Sequence, residues 1–432
     1  MLLFAVNSRH CQSFIHCKQI YQKLTINNQK KHCIALIGVL LFSLIFGIPN
    51  KVEAQGKKLF GEVEYLIGGI VPNFPNFPKT GISQGVNLSI GKTNHSDSHW
   101  ANYFNKPSYG VTLSYLKSSN IQELGKEYGG SFFLDLSPNT EGPQKWFFRM
   151  GMGTTYFNKF YKSITNERNK VIGSHWNWRF NLFLFHQIKS FEKVELRLGA
   201  GYLHSSNGHT QIPNYGMNAA ILSLSARFYQ KNPYAKPDNF KQSESYSKKE
   251  TTYFIQSRFG LGMHEYGGTT NPIGGPKKAV YASAFAFGWN FNQQLKLRTG
   301  FTYRFYQHYY EQMRNNDSVI YKFPKSKASN IYWLLGVEYL LGNFAIDIEG
   351  GINLYKPYFE EHFANHIKQS GIKKFLKSTI PLRMGLNYYL FKPSKQSNFN
   401  AFIGASINSN LSQADFSQIN IGVSKRIKNK NQ

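Results

Sequence analysis

Beyond residue 57, apolar and polar side chains alternate with a period of two along most of the chain. Trp176, Trp178, Phe180, Leu182 and Leu184 interleave with Asn177, Arg179 and Asn181. Leu196, Leu198, Ala200 and Tyr202 interleave with Glu195, Arg197, Gly199 and Gly201, and Trp146, Phe148, Met150 and Met152 with Arg149, Gly151 and Gly153. Successive side chains of a strand point to opposite faces, so the pattern predicts strands with one apolar face and one polar or glycine-rich face. About sixteen such segments are expected. In the first half they fall near 58–70, 82–90, 108–117, 128–137, 144–156, 175–188, 193–206 and 217–229. The second half supplies 250–264, 279–291, 294–307, 330–341, 343–355, 379–391, 398–409 and 416–427.

These segments are longer than the usual strand of about five or six residues. Their length, alternation and terminal aromatics fit an all-β, transmembrane antiparallel β-barrel, which turns its apolar face to lipid. A soluble sandwich would bury that face in a core. Tight turns near Asn292, Gly342 and Lys392 alternate with long connections at 265–278, 308–329 and 356–378. Short inner turns and long outer loops are the asymmetry of such barrels, and the long connection at 91–107 is the exception. The polar stretch 230–249 lacks apolar periodicity. We expect a single barrel of about 14–16 strands, with an N-terminal half at 55–229 and a C-terminal half at 250–432. Two eight-stranded barrels are the alternative.

Export follows from the N-terminus. Ile34 to Ile48 is an apolar run after Lys30 and Lys31, and Val52-Glu53-Ala54 supplies small residues around a cleavage point. That layout predicts a signal peptide over 1–54; a spanning helix needs about twenty apolar residues, so a membrane anchor is the alternative. Cys11, Cys17 and Cys33 all precede the cut, which leaves the mature chain without disulfide, thiol nucleophile or Cys-based metal site. The chain holds 51 Lys and Arg against 23 Asp and Glu; without the six basic residues and Glu53 of 1–54 the balance is 45 against 22, or +23. So basic a chain suits an anionic partner. The basic residues are scattered, with no nucleic-acid-binding motif, and an exported protein meets anionic lipid instead.

The chemistry concentrates in Leu203-His204-Ser205-Ser206-Asn207-Gly208 and Pro213-Asn214-Tyr215-Gly216-Met217-Asn218. His204 precedes Ser206 by two residues and shares its strand face, and Asn218 sits on the same apolar face of the next strand. Base, nucleophile and orienting amide would then meet at the outer end of a hairpin, facing lipid. Polar groups are costly on such a face, least so near the interface, so three together suggest a site acting on the lipid itself. His204 would take the Ser206 proton, and Asn218 would hold the imidazole tautomer as in the Cys-His-Asn variant of the triad. Asn207, Asn214 and the Gly208 N–H are candidate oxyanion donors. The structural alternative is ordinary loop chemistry at a barrel rim.

His204-Ser205-Ser206-Asn207 with Pro213-Asn214-Tyr215-Gly216 resembles the H-x-S-N…P-N-x-G signature of the lipid A deacylase (PagL-like) family. That family has a glutamate where this chain has Asn218. The Ser-His-Asn spacing also resembles outer-membrane phospholipase A. Asp97-Ser98-His99-Trp100, Pro107-Ser108-Tyr109-Gly110, Glu123-Leu124-Gly125 and Asn169-Lys170-Val171-Ile172-Gly173-Ser174 look like the longer acyloxyacyl-hydrolase-type proteins of Bacteroidota. The resemblance implies a bacterial outer-membrane carboxylic ester hydrolase whose partner and substrate is outer-leaflet lipid A (lipopolysaccharide). It implies no metal and no cofactor. The phospholipase alternative would bring calcium, at Asn214, where the usual residue is serine. A porin or transport barrel is the non-enzymatic alternative.

Other residues add little. His209 reads as a loop histidine, and Asn408-Ser409-Asn410 echoes the motif with Ile407 in the histidine's place. Trp100 and Tyr109 suit an interfacial anchor. Among the carboxylates available to replace Asn218, Glu62, Glu64 and Glu195 should point inward and away from it; Asp135 is the fourth candidate.

Overall fold

The computed structural model describes residues 57–94, 99–138, 145–230, 251–270, 273–315, 322–359, 371–391, 398–410 and 413–427. The expected signal peptide at 1–54, the three cysteines, and all of the polar connection at 230–249 except Gln230 lie outside the described residues. Each expected segment carries a strand. The first eight are β1 (Lys57–Ile70), β2 (Ile82–Asn94), β3 (Ser108–Lys117), β4 (Lys126–Leu136), β5 (Trp146–Phe157), β6 (Trp176–Ser190), β7 (Val194–Ser206) and β8 (Met217–Tyr229). The second eight are β9 (Thr251–Glu265), β10 (Lys277–Phe291), β11 (Leu295–Tyr306), β12 (Ser329–Leu341), β13 (Phe344–Tyr355), β14 (Leu382–Tyr389), β15 (Phe399–Ser409) and β16 (Ala414–Ile427).

They form two closed eight-stranded barrels, not the single larger barrel preferred from the sequence. β8 returns to β1, with Phe60 opposite Tyr229 and Ile70 opposite Ala219. β16 returns to β9, with Ser417 opposite Met263 and Ile427 opposite Tyr253. Alternation specifies which face a residue takes but not which distant edge completes a ladder, so closure was invisible to the periodicity. One cross-strand pair hints at it: Glu62 of β1 stands opposite Arg227 of β8, both on the inner face.

The faces are divided as expected. Phe132, Leu222, Phe285 and Ile419 are at least 58% exposed on the outside. Glu62, Glu64, Asp135, Arg149, Glu195, Arg197 and Arg227 are buried within the first barrel. Arg227 donates to Glu62 at 2.6 Å and Asp135 at 2.5 Å, and Arg149 donates to Asp135 at 2.6 Å and Glu62 at 2.9 Å. Aromatic faces complete the packing, with Arg227 over Phe60 at 3.8 Å and Arg197 over Phe147 at 3.9 Å. The second barrel repeats the plan: Arg298 and Arg383 each reach Asp347 at 2.5 Å, and Arg258 reaches Glu349 at 2.8 Å. Eight strands enclose just enough space for side chains, and these fill it.

The barrels touch through their outer surfaces and loops. Phe132 meets Phe344 with ring centroids 6.3 Å apart. Toward the β7–β8 loop, Trp178 Nε1 donates to Ser417 Oγ at 2.9 Å, and the Asn214 amide donates to the Thr269 carbonyl at 3.2 Å.

Candidate functional site

The β7–β8 hairpin places His204 directly opposite Asn218. Both sit on the exterior face, as parity requires, and Ser206 follows two residues along, where the strand ends. His204 Nδ1 lies 2.7 Å from Asn218 Oδ1. An amide oxygen only accepts, so this contact puts the imidazole proton on Nδ1 and leaves Nε2 free as a base. Tyr202 Oη donates to the same oxygen at 2.6 Å. With the amide oxygen in this position, the phenol and the imidazole N–H both donate to one acceptor. In the sequence pattern Tyr202 is only an apolar-face residue; its place on the His204 face, one register diagonal from Asn218, is the signal of this contact.

Ser206 is buried at 5% exposure, and its Oγ accepts the Gly208 N–H at 3.2 Å. Among the described residues, His204 bonds to Asn218 and not to Ser206. Gly216 marks where the two side chains converge. A Cβ there would lie 2.9 Å from His204 Cε1 and 3.3 Å from Ser206 Cβ, and the residue adopts φ +78. Glycine tolerates that backbone and keeps the space between base and hydroxyl open.

The connecting loop is braced from several directions. Asn207 Nδ2 donates to Gln211 O at 2.7 Å and Ser174 Oγ at 3.1 Å, so both its amide hydrogens are engaged. Asn214 Oδ1 accepts the Asn207 backbone N–H at 3.3 Å. Of the three candidate donors, the Gly208 N–H bonds the nucleophile oxygen itself. The Tyr215 and Gly216 amides donate to Lys170 O at 3.1 Å and Val171 O at 2.9 Å. Asn169, fully buried, ties that segment to Glu123 O at 2.8 Å. Thus the 123–125 and 169–174 segments singled out in the sequence meet at the hairpin, while Asp97 and Ser98 lie outside the described residues. Trp100 packs on Tyr109 with centroids 5.9 Å apart.

His209 leans toward the second barrel, with Nε2 3.2 Å from Gly267 O and its ring 4.8 Å from that of His264. No cluster of three or more His, Cys, Asp or Glu arranged to hold a metal occurs among the described residues. Glu62, Glu64, Asp135 and Glu195 all lie in the ion-paired lumen, so none of the four takes Asn218's place. In the motif echo, Asn408 accepts Arg304 at 2.9 Å and Asn410 accepts Lys356 at 3.1 Å.

Residues 84–227 match the family model described as Lipid A 3-O-deacylase (PagL), and this segment of the first barrel is PagL-like. No curated protein matches the chain. Among solved structures, the outer membrane enzyme PagL is similar at 16% identity over 38% of this chain and 97% of that one, with a TM-score of 0.27. The siderophore receptor PirA from Pseudomonas aeruginosa is similar at 9% identity over 87% and 82%, with a TM-score of 0.23. The outer membrane protein opdK from Pseudomonas aeruginosa is similar at 11% identity over 86% and 99%, with a TM-score of 0.19.

Proposed function

We propose that this PagL-like chain is an outer-membrane esterase that removes an acyl chain from lipid A, with Ser206 as nucleophile, His204 as base and Asn218 as orienting amide. The observation that carries the proposal is the 2.7 Å contact of His204 Nδ1 with Asn218 Oδ1, two residues from Ser206, inside the segment matching the deacylase model.

A χ1 rotation turns the Ser206 hydroxyl from the Gly208 amide toward His204; catalytic contacts are often loose before substrate binds. His204 Nε2 takes the hydroxyl proton as Oγ attacks the ester carbonyl. The resulting oxyanion meets the Gly208 N–H. Collapse breaks the ester C–O bond, and His204 returns its proton to the departing alkoxide. Water, deprotonated by the same nitrogen, then attacks the acyl carbonyl; the bond to Ser206 Oγ breaks, Oγ recovers the proton from His204, and the fatty acid leaves. Asn218 holds the imidazole but brings no charge to stabilise the imidazolium, so turnover is slower than with a carboxylate. The scheme invokes no metal ion. The exterior, lipid-facing position lets the substrate remain in the outer leaflet throughout.

Asn218 itself favours one second reading, a phospholipase acting on glycerophospholipids, because an amide in the third position is the pattern of the outer-membrane phospholipase. Mass spectrometry of lipid A and phospholipids from cells expressing wild type or Ser206→Ala separates the two. Loss of one acyl chain from lipid A, abolished by Ser206→Ala, is the expected result. Unchanged lipid A with released lysophospholipid transfers the proposal to the second substrate; no change in either, with folded barrel present, sinks both. The filled lumens argue against a pore, and planar bilayers should record no steady conductance.

A further inference from the structure

The oxyanion turn is held by the second barrel. The Asn207 carbonyl and the Gly208 N–H belong to one peptide unit. Its N–H points at Ser206 Oγ, at 3.2 Å, and its carbonyl accepts Ser417 Oγ of β16 at 3.4 Å. Ser417 Oγ in turn accepts Trp178 Nε1 of β6 at 2.9 Å. That indole donor leaves the serine hydroxyl proton free to point at the carbonyl. A Cβ on Gly208 would lie 2.2 Å from Ser417 Oγ and 3.6 Å from Ile407 Cγ1, and Gly208 has φ +62. The turn is therefore pressed against β15 and β16, at a position only glycine fits.

The rest of the loop is fastened to the same barrel. Glu265 Oε2 accepts the Ile212 amide at 3.0 Å, and Glu265 Oε1 accepts the Gly274 and Gly275 amides at 2.9 and 3.0 Å. The Glu265 amide donates to His209 O at 3.2 Å. Both ends of the catalytic loop thus depend on a barrel that the deacylase model does not cover.

Building on the esterase proposal, we infer that the second barrel completes the active site, with Ser417 acting as a positioning residue. It forms a relay from Trp178 N–H through Ser417 O–H and the Asn207–Gly208 peptide to the nucleophile. Donation to a peptide carbonyl polarises the N–H of the same unit, since chained hydrogen bonds strengthen one another. Ser417 thereby orients the oxyanion donor without touching substrate.

The test is steady-state kinetics of the purified full chain on lipid A in mixed detergent micelles. Ser417→Ala should lower kcat about tenfold with KM nearly unchanged, less than the 10²–10³ that loss of an oxyanion donor itself costs. Ser417→Thr, which retains the hydroxyl, should restore kcat, and Trp178→Phe, which removes only the indole N–H, should lower it in the same way. Wild-type kcat in Ser417→Ala, or a change confined to KM, overturns the inference. If Ser417→Ala weakens the fold on heating, Trp178→Phe decides instead, and an unchanged kcat there overturns the relay. Ser206→Ala runs alongside: activity surviving in that variant removes the esterase proposal, whereas activity lost there but intact in Ser417→Ala removes only the role of the second barrel.

Discussion

His204 Nδ1 stands 2.7 Å from the side-chain oxygen of Asn218, its direct cross-strand partner. Tyr202 donates to the same oxygen at 2.6 Å, so the amide oxygen serves the phenol and the imidazole together. Asn218→Leu should lower the rate about 10²-fold or more through loss of the tautomer. Asn218→Glu should keep or raise it, since a carboxylate accepts both donors and adds charge. Tyr202→Phe should cost about two- to tenfold, the worth of one neutral hydrogen bond. Deacylation rates of the three variants check this; indifference to both Asn218 substitutions would leave that residue a strand position and nothing more.

Gly216 offers a test of the gap between base and nucleophile. In Gly216→Ala the new methyl would meet His204 Cε1 at 2.9 Å, on a backbone at φ +78. The ring must tilt, and the left-handed backbone adds about 1–2 kcal/mol of strain. Activity should fall at least about tenfold, as one hydrogen-bond's worth of misalignment implies, while the barrel still folds. A fully active variant would show that His204 and Ser206 do not act across that space.

The lumen of the first barrel predicts a large stability effect far from the site. Arg227 is wholly buried and bridges Glu62 and Asp135. Arg227→Met keeps much of the volume but leaves those carboxylates short of a counter-charge, which should destabilise by about 3–5 kcal/mol. Urea unfolding in detergent measures it. A shift within experimental scatter would mean the remaining arginines compensate fully.

The loop helix Gln307–Arg314 carries a pH-sensitive group against the barrel junction. His308 is buried, stacks on His264 at 4.5 Å and also faces Tyr266, Tyr306 and Tyr309. Burial pushes its pKa well below the ordinary value, His264 and His209 push the same way, and Asp415 opposes them. The docked helix therefore holds His308 neutral while an undocked one takes a proton below about pH 6.5. Docking is fully present above that pH and weakens as pH falls through it. Protection factors of 307–314, corrected for intrinsic exchange at each pH, should fall between pH 8 and 5, and His308→Phe should flatten that dependence. An unaltered slope in the variant would assign the effect to the neighbouring groups.

Strand content and facing were legible because a pleated backbone sends alternate side chains to opposite sides. Sixteen segments, the inward Glu62, Glu64 and Glu195, and the outward His204, Ser206 and Asn218 all followed from counting by twos. The same local rule placed His204 near Asn218, since a hairpin makes them neighbours. What it could not supply was any contact between residues distant in the chain.

Closure is such a contact. β1 meets β8 and β9 meets β16 through backbone ladders whose partners carry no local mark, and two eight-stranded barrels resulted where one larger barrel had been expected. Tyr202's phenol, the gap at Gly216, and above all Ser417 and Glu265 reaching the catalytic loop belong to the same class. Sequence by itself determined what each side chain faces and which chemistry the hairpin can hold. Only the tertiary structure decided which far strands press against that hairpin, because ladder closure and barrel packing are set by the whole chain at once.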